Sequence, residues 1–518
     1  MLKDAEKPYF AEMQLRWREL FSSKVETEAR WDRWDFVALA LAVFIVGWVF
    51  ALKVKTFYDL GYSEDLFASL QAARSWLEGK GLLRDNWSGN VLAVHTYLLL
   101  LPLGLVAKPF GAPGLLFVLA ASVGVTYFWA TRMLRVLGVA GLFAVVLAAV
   151  LLASPISVFF YQEWHHGFHV EDLAPALCLL LFYFLLQRRL IPSIVTALVI
   201  ISVKEDAPIA AAMVAIVAGV ETWIASAGTP VRCRFNRPAA IVLLLSLAAV
   251  PLLLAISFSQ PPTMYAPHSV DRIYIVKPGT LSSQGALFAF VLSNIADWLG
   301  SEVVRQWLWV MVVGSFATIL LRPYYLIAGV PTTLVAWLQN QNDLLLWAPR
   351  IYSTAALLWC VTLVGFASIA RGITLDKRRG QMAVLAVAVA VIALSAFDQL
   401  ALVPLARNAY LLRSGSPYSP AERRQADELF ARYRREGKPD EPVVASTRLF
   451  RYAQDRNLFW LNRLHDRPAP VWMLGDSSDQ NPSLRISSNR IGVRSEIDPE
   501  DYTLIDHRGR FVLLRKKQ

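Results

Sequence analysis

The chain has 518 residues, of which 56% are hydrophobic and only 18% charged, with a formal net charge of +11. Repeated apolar stretches near membrane-spanning length exclude a soluble globular protein and indicate a polytopic membrane protein. Much of the Lys and Arg lies in short loops beside those stretches, where membrane orientation accounts for it, so the positive charge does not indicate a nucleic-acid partner.

Residues 1–35 are charged and amphipathic, and the apolar run that follows lacks a small-residue cleavage site, so they read as a cytoplasmic segment ahead of a retained first span rather than a signal peptide. Candidate spans follow at 36–54, 113–131, 138–160, 173–187, 190–203, 208–226, 239–258, 306–322, 324–338, 344–370 and 381–403. Many of the 17 Trp and 17 Tyr flank these runs, as in the aromatic belts of a bilayer interface. Cys178 and Cys360 fall inside apolar runs and Cys233 in a basic loop, a spacing that offers neither a metal site nor an evident disulfide.

A twelfth run, 91–107, decides the topology. If it spans, Arg188 and Arg189, then Arg232, Arg234 and Arg237, then Lys377 to Arg379 all become external, against the positive-inside bias. If it is re-entrant or lies at the interface, as His95 and Pro102 permit, every basic cluster is cytoplasmic together with the N-terminus. The expected fold is therefore an all-α membrane domain over 36–403, of about eleven transmembrane helices plus re-entrant or juxtamembrane ones, with a first outer loop at 55–112.

From residue 404 the chain turns charged and turn-rich. Ser419 and Pro420 signal a helix start, the helix is expected to stop near Gly437, and "PVVAS", "PVWML", "YTLID" and "RFVLL" read as strands, with "TRLFRYAQD" as a helix. A small extracytoplasmic α/β domain over 404–518 is expected, without a glycine-rich phosphate loop.

Four polar groups share the outer face on this topology. In "YDLGYSED", Ser63, Glu64 and Asp65 suit helix capping and a first turn favoured by the helix dipole, or a site; Asp59 stands outside that helix, and the dipole does not explain it. "YQEWHHGFHVED" gathers His165, His166, His169, Glu171 and Asp172. It reads as a divalent metal site at His166 and His169 with Glu171 or Asp172, as hydrogen-bonding groups for a phosphate or sugar, or as interface polarity. "VKEDAP" places Lys204, Glu205 and Asp206 either in a tight turn with a snorkelling lysine or in a water-filled cavity. Arg350 and Tyr352 open a late span, where a buried arginine calls for an anionic partner.

The stretches "YDLGYSEDL", "FHVEDLAPALCLLLFYFLLQRR" and "VKEDAP" resemble those of an uncharacterised family of prokaryotic polytopic membrane proteins, itself similar to the GT-C glycosyltransferases that use polyprenyl-phosphate sugars. The resemblance is close over about residues 40–215 and looser elsewhere. It aligns Asp59 with a first-loop acid, His169 and Glu171 with a His and Glu pair, and Lys204 to Asp206 with a third motif. Val170 stands where proline is usual, and Glu64 with Asp65 replaces an Asp-Gln pair.

What the resemblance implies is a multi-pass enzyme of a prokaryotic cytoplasmic membrane. It would move a sugar from a polyprenyl-phosphate donor to a glycan, lipid or protein acceptor at the outer face, with inversion. An acid, Asp59 or else Glu64, is the expected general base. Asp65, His95, His165, His166, His169, Glu171, Lys204, Glu205, Asp206, Arg350 and Tyr352 are the expected substrate contacts, and no cofactor is required. A lipid-carrier flippase or transporter would instead distribute charge through the bilayer midplane, and a non-catalytic scaffold would present only the tail domain.

Overall fold

A computed structural model describes residues 31–154, 157, 161, 166–226, 230, 234–260, 289–290, 292–316, 318–338, 352–372, 382, 385–386, 418–460, 470–476 and 501–517. The first 30 residues, His165, Arg350 and nearly all of the expected span 381–403 lie outside them.

Helix α1 (Arg33–Tyr58) starts from a reciprocal cap between Asp32 and Asp35. After it come α2 (Glu64–Ser75), α3 (Val91–Val94), α4 (Leu100–Phe110) and the long α5 (Ala112–Val136). α1 and α5 pack along their lengths in opposite directions. At one end Arg132 meets the fully buried Asp35 at 2.9 Å, and Arg135 binds both Asp35 and, at 2.7 Å, Asp32. At mid-length Gly124 leaves no room for a side chain, since a Cβ there would sit 2.8 Å from the Ala42 carbonyl oxygen. Farther on, the Phe50 and Phe117 rings meet edge to face at 5.5 Å.

This antiparallel pairing returns the chain between residues 59 and 111 to the end of the bundle where it began. The apolar run 91–107 is divided between α3 and α4, broken by extended backbone at His95. At 1.5 Å per residue α4 is about 16 Å long, roughly half the hydrocarbon core. It instead crosses α2 closely, because Gly104 lies where a Cβ would be 2.2 Å from the Ala73 carbonyl oxygen.

The bundle continues through α6 (Gly141–Leu152), α7 (Ala174–Leu186), α8 (Leu190–Ile201), α9 (Ala207–Ala225), α10 (Arg237–Phe258), α11 (Ile295–Leu299), α12 (Glu302–Gly314), α13 (Tyr324–Ala328), α14 (Val330–Leu338) and α15 (Tyr352–Gly372). Among the described residues five helices, α1, α5, α9, α10 and α15, are long and apolar enough to cross a membrane. The expected eleven uninterrupted spans are thus not matched one for one. The stretch 306–322 divides into α12 and a 3-10 turn at Thr318–Leu321, and 324–338 into α13 and α14. Among the five long apolar helices of the described residues α15 is the most enclosed: 94% of its apolar stretch is buried, against 22% for α1.

Within this apolar packing lies a charge pair that the sequence reading did not single out. Glu221 of α9 and Arg322 are both fully buried, with Arg322 Nε 3.1 Å from Glu221 Oε1. Tyr324 donates its hydroxyl to the same oxygen at 2.5 Å, and Arg322 donates to Ser368 at 2.8 Å.

The tail domain forms around α16 (Pro420–Glu436), whose Ser419 cap and Glu422 bond reciprocally and whose end is at Gly437, as its sequence indicates. Five strands, β1 (Pro442–Ala445), β2 (Asn457–Trp460), β3 (Trp472–Asp476), β4 (Tyr502–Arg508) and β5 (Phe511–Lys516), align in the order β2-β1-β3-β5-β4. β1 runs parallel to β2 and β3, and β5 antiparallel to β3 and β4. β2, "NLFW", was not anticipated, and "TRLFRYAQD" winds as a 3-10 helix over Thr447–Ala453. α16 lies against the sheet through Tyr433 on Trp472 and Phe430 on Phe511.

Gly104→Ala should lower stability by about 1–3 kcal/mol through overpacking against α2, read as a lower Tm in detergent. Arg322→Leu should cost about 3–5 kcal/mol by leaving Glu221 buried without its cation, while the double change Glu221→Leu with Arg322→Leu should recover most of that loss.

Candidate functional site

The site begins where α1 ends. Asp59 caps the helix; its carboxylate binds Lys55 one turn back at 2.7 Å and Arg423 of α16 at 3.2 Å. Leu60 takes a left-handed conformation (φ 61°), and the Gly61 N–H closes back on the Thr56 carbonyl at 2.9 Å. This turn swings the chain into α2. Ser63 occupies the cap position of α2 but makes no side-chain cap bond, correcting the capping expectation; its hydroxyl lies 3.4 Å from His166 Nδ1.

Glu64 and Asp65 fill the first turn of α2. Asp65 Oδ2 receives His166 Nδ1 at 2.5 Å and His169 Nε2 at 3.3 Å, and the two imidazoles stand 5.1 Å apart, edge to face. The turn carrying both histidines depends on Gly167, at φ +82°, where a Cβ would strike the Tyr62 ring at 2.8 Å. Burial works to raise the Asp65 carboxyl, yet the bonds from His166 and His169 outweigh it and hold the group well below the usual carboxylate range. Burial raises Glu64, and the neighbouring Asp65 charge adds to the shift.

A second cluster lies deeper. Glu171 is buried in the 3-10 turn Val170–Leu173, and its Oε1 accepts the Tyr97 hydroxyl at 2.7 Å and faces Lys204 Nζ at 3.2 Å. Glu171 thus turns away from the histidines with which the sequence grouped it, and Asp65 stands among them. Lys204, in the turn between α8 and α9, is 13% exposed at its side chain, so it is enclosed rather than snorkelling. Glu205 bonds His95 Nδ1 at 2.8 Å and the Thr96 N–H at 3.0 Å, and Asp206 accepts the Tyr352 hydroxyl at 2.7 Å.

Lys204 is thus paired with Glu171 and feels the charges of Asp206 and Glu205 at longer range. Burial opposes the charge on Lys204, but Asp206, Glu171 and Glu205 keep it firmly protonated. Burial likewise works to raise Glu171, which Lys204, His169 and His95 pull below the usual range. Burial drives Asp206 the other way, upward.

Residues that the sequence reading missed complete the site. Thr96 and Tyr97 follow His95 in "HTY", a polar break in an apolar run that signals their position. The tail domain reaches back over the first loop: Arg448 donates to the Gly61 carbonyl and Arg451 to the Tyr58 carbonyl. Gln71 and Asn86 both donate to the Leu458 carbonyl, at 3.0 and 2.8 Å, and Phe67 meets Phe450 edge to face at 5.6 Å. Nothing local in the sequence marks these arginines.

A comparison with curated proteins finds no significant match. Among solved structures, ArnT from Cupriavidus metallidurans bound to undecaprenyl phosphate matches over 93% of this chain and 97% of that one, at 13% identity and a TM-score of 0.47. The model of the family described as "Predicted membrane protein (DUF2079)" matches residues 54–458, and the chain belongs to that family.

Proposed function

We propose that this protein is a GT-C-type glycosyltransferase of a prokaryotic cytoplasmic membrane, acting on a polyprenyl-phosphate-linked sugar at the outer face, with its N-terminus cytoplasmic. The observation that carries the reading is the convergence of Glu64, Asp65, His166 and His169 with the Lys204 cluster at one end of the helix bundle, beside the tail domain. Titratable groups gathered from distant segments at such depth are costly to a membrane protein and mark a site.

In the transfer, the acceptor oxygen bonds the anomeric carbon as the bond from that carbon to the phosphate oxygen breaks. The acceptor proton passes to a carboxylate, and the departing electron pair stays on the phosphate. Asp59 is committed to Lys55 and Arg423, which suits it to tethering the first loop. Glu64 is raised by burial, toward the range in which a base works best, a pKa near the working pH. Glu171, Glu205 and Asp206 suit sugar hydroxyls as acceptors, with Lys204 keeping Glu171 ionised. Arg350 and His165, from the sequence, remain candidates for the phosphate, and a glycan, lipid or protein for the acceptor.

The test uses purified protein in liposomes with labelled polyprenyl-phosphate hexose and pentose donors, following release of polyprenyl phosphate. Glu64→Gln should lower kcat by at least ~100-fold with the donor KM little changed; a full rate would remove Glu64 as base. Because the base acts deprotonated, the wild-type rate should fall as pH drops through a limb above the ordinary Glu pKa of about 4.3, and the Gln variant should lose that limb. A wild type that releases polyprenyl phosphate from none of these donors would overturn the assignment.

A further inference from the structure

Asp65, His166 and His169 form a group that the transfer chemistry alone does not explain. Two imidazole nitrogens are aimed at one carboxylate oxygen, and all three candidate ligand atoms lie within 4.8 Å of one another. Hydrogen bonding to the carboxylate would need only one histidine. Around a tetrahedral ion with ligands at about 2.0–2.2 Å, neighbouring donor atoms stand roughly 3.4 Å apart. The separations from Asp65 Oδ2, 2.5 Å to His166 and 3.3 Å to His169, lie below and close to that spacing respectively, within a group no more than 4.8 Å across.

We infer that Asp65, His166 and His169 hold a divalent transition-metal ion. Two nitrogens and one oxygen form a donor set suited to zinc, manganese or ferrous iron rather than to calcium or magnesium, which prefer all-oxygen shells. The three side chains are 17–27% exposed, so water or substrate reaches the remaining coordination positions. Three protein ligands with an open position is the arrangement of catalytic rather than closed structural sites.

The scaffold is suited to the task. Asp65 is fixed in the first turn of α2, while His166 and His169 flank a glycine whose backbone conformation and contact with Tyr62 set the turn. The sequence grouped these histidines with Glu171; the fold replaces it with Asp65 and leaves Glu171 to Tyr97 and Lys204. The ion would add positive charge beside Glu64, on a face otherwise rich in acids. Its binding does not depend on the glycosyltransferase reading, because it is measured without any sugar.

The full-length protein in detergent, stripped with chelator, is titrated with Zn2+ alone by calorimetry and its metal content counted by mass spectrometry. One equivalent should bind the wild type and raise its Tm. Asp65→Asn and His169→Ala should weaken binding by more than the ~10–100-fold that loss of even an outer partner costs. His507→Ala, on the exposed edge of the tail domain, should bind as the wild type does. Absence of stoichiometric uptake by the wild type, or unchanged affinity in both ligand variants, would overturn the inference. Should those variants fail to fold, Co2+ added to the stripped wild type decides it: visible bands of nitrogen and oxygen coordination support the site, and their absence refutes it.

Discussion

The antiparallel pairing of α1 and α5 is the constraint on which the rest depends. Asp32 and Asp35 at one helix start are bound to Arg132 and Arg135 at the other helix end. Two helices of 26 and 25 residues fixed in this way oblige everything between them to begin and finish at the far end of the bundle. The first loop therefore lies at the same end as the turns before α7 and α9, and Asp65 reaches histidines about a hundred positions away. A small shift in that pairing would move the Asp65 carboxylate relative to its partners without touching any of them.

At that end the protein solves an electrostatic problem in two layers. In the deeper one, Lys204 pairs with Glu171, while His95, Thr96, Tyr97 and Tyr352 supply hydrogen bonds to Glu205, Glu171 and Asp206. Single-partner burial of such charges would be strongly unfavourable, and a network with each group bonded is what makes it tolerable. In the shallower layer, carboxylates and histidines remain partly open to solvent. The deep layer is the more enclosed of the two, and the shallow one the more open to solvent.

Much of this was legible in the sequence because the signals are local. Apolar runs gave α1, α5, α9 and α10 to within a few residues, and Ser419 with Pro420 marked the start of α16. The charge bias of the loops pointed to a non-spanning 91–107, and that run is two short helices separated by extended backbone. The polar motifs contain the residues that cluster, but spacing along the chain could not say which would touch. His166, His169 and Glu171 look like one set on paper, whereas the backbone turn at Gly167 and the 3-10 winding after His169 send Glu171 elsewhere. Ser63 reads as a cap and faces a histidine. Arg423, Arg448 and Arg451, and the Glu221–Arg322 pair, rest on contacts between remote segments, which no periodicity encodes. Arg350 and His165, both in the expected site, lie outside the described residues.

The grip of the tail domain on the first loop bears on how the molecule comes into being. Arg448 and Arg451 grasp carbonyls 387 and 393 positions earlier. The ribosome delivers the loop long before its clasp, and closing so wide a contact is slow compared with forming neighbouring helices. Through most of biogenesis the inserted helices must keep that loop from straying. That end of the bundle is then among the last regions to reach its final shape, because its clasp can close only after the tail domain has been translated.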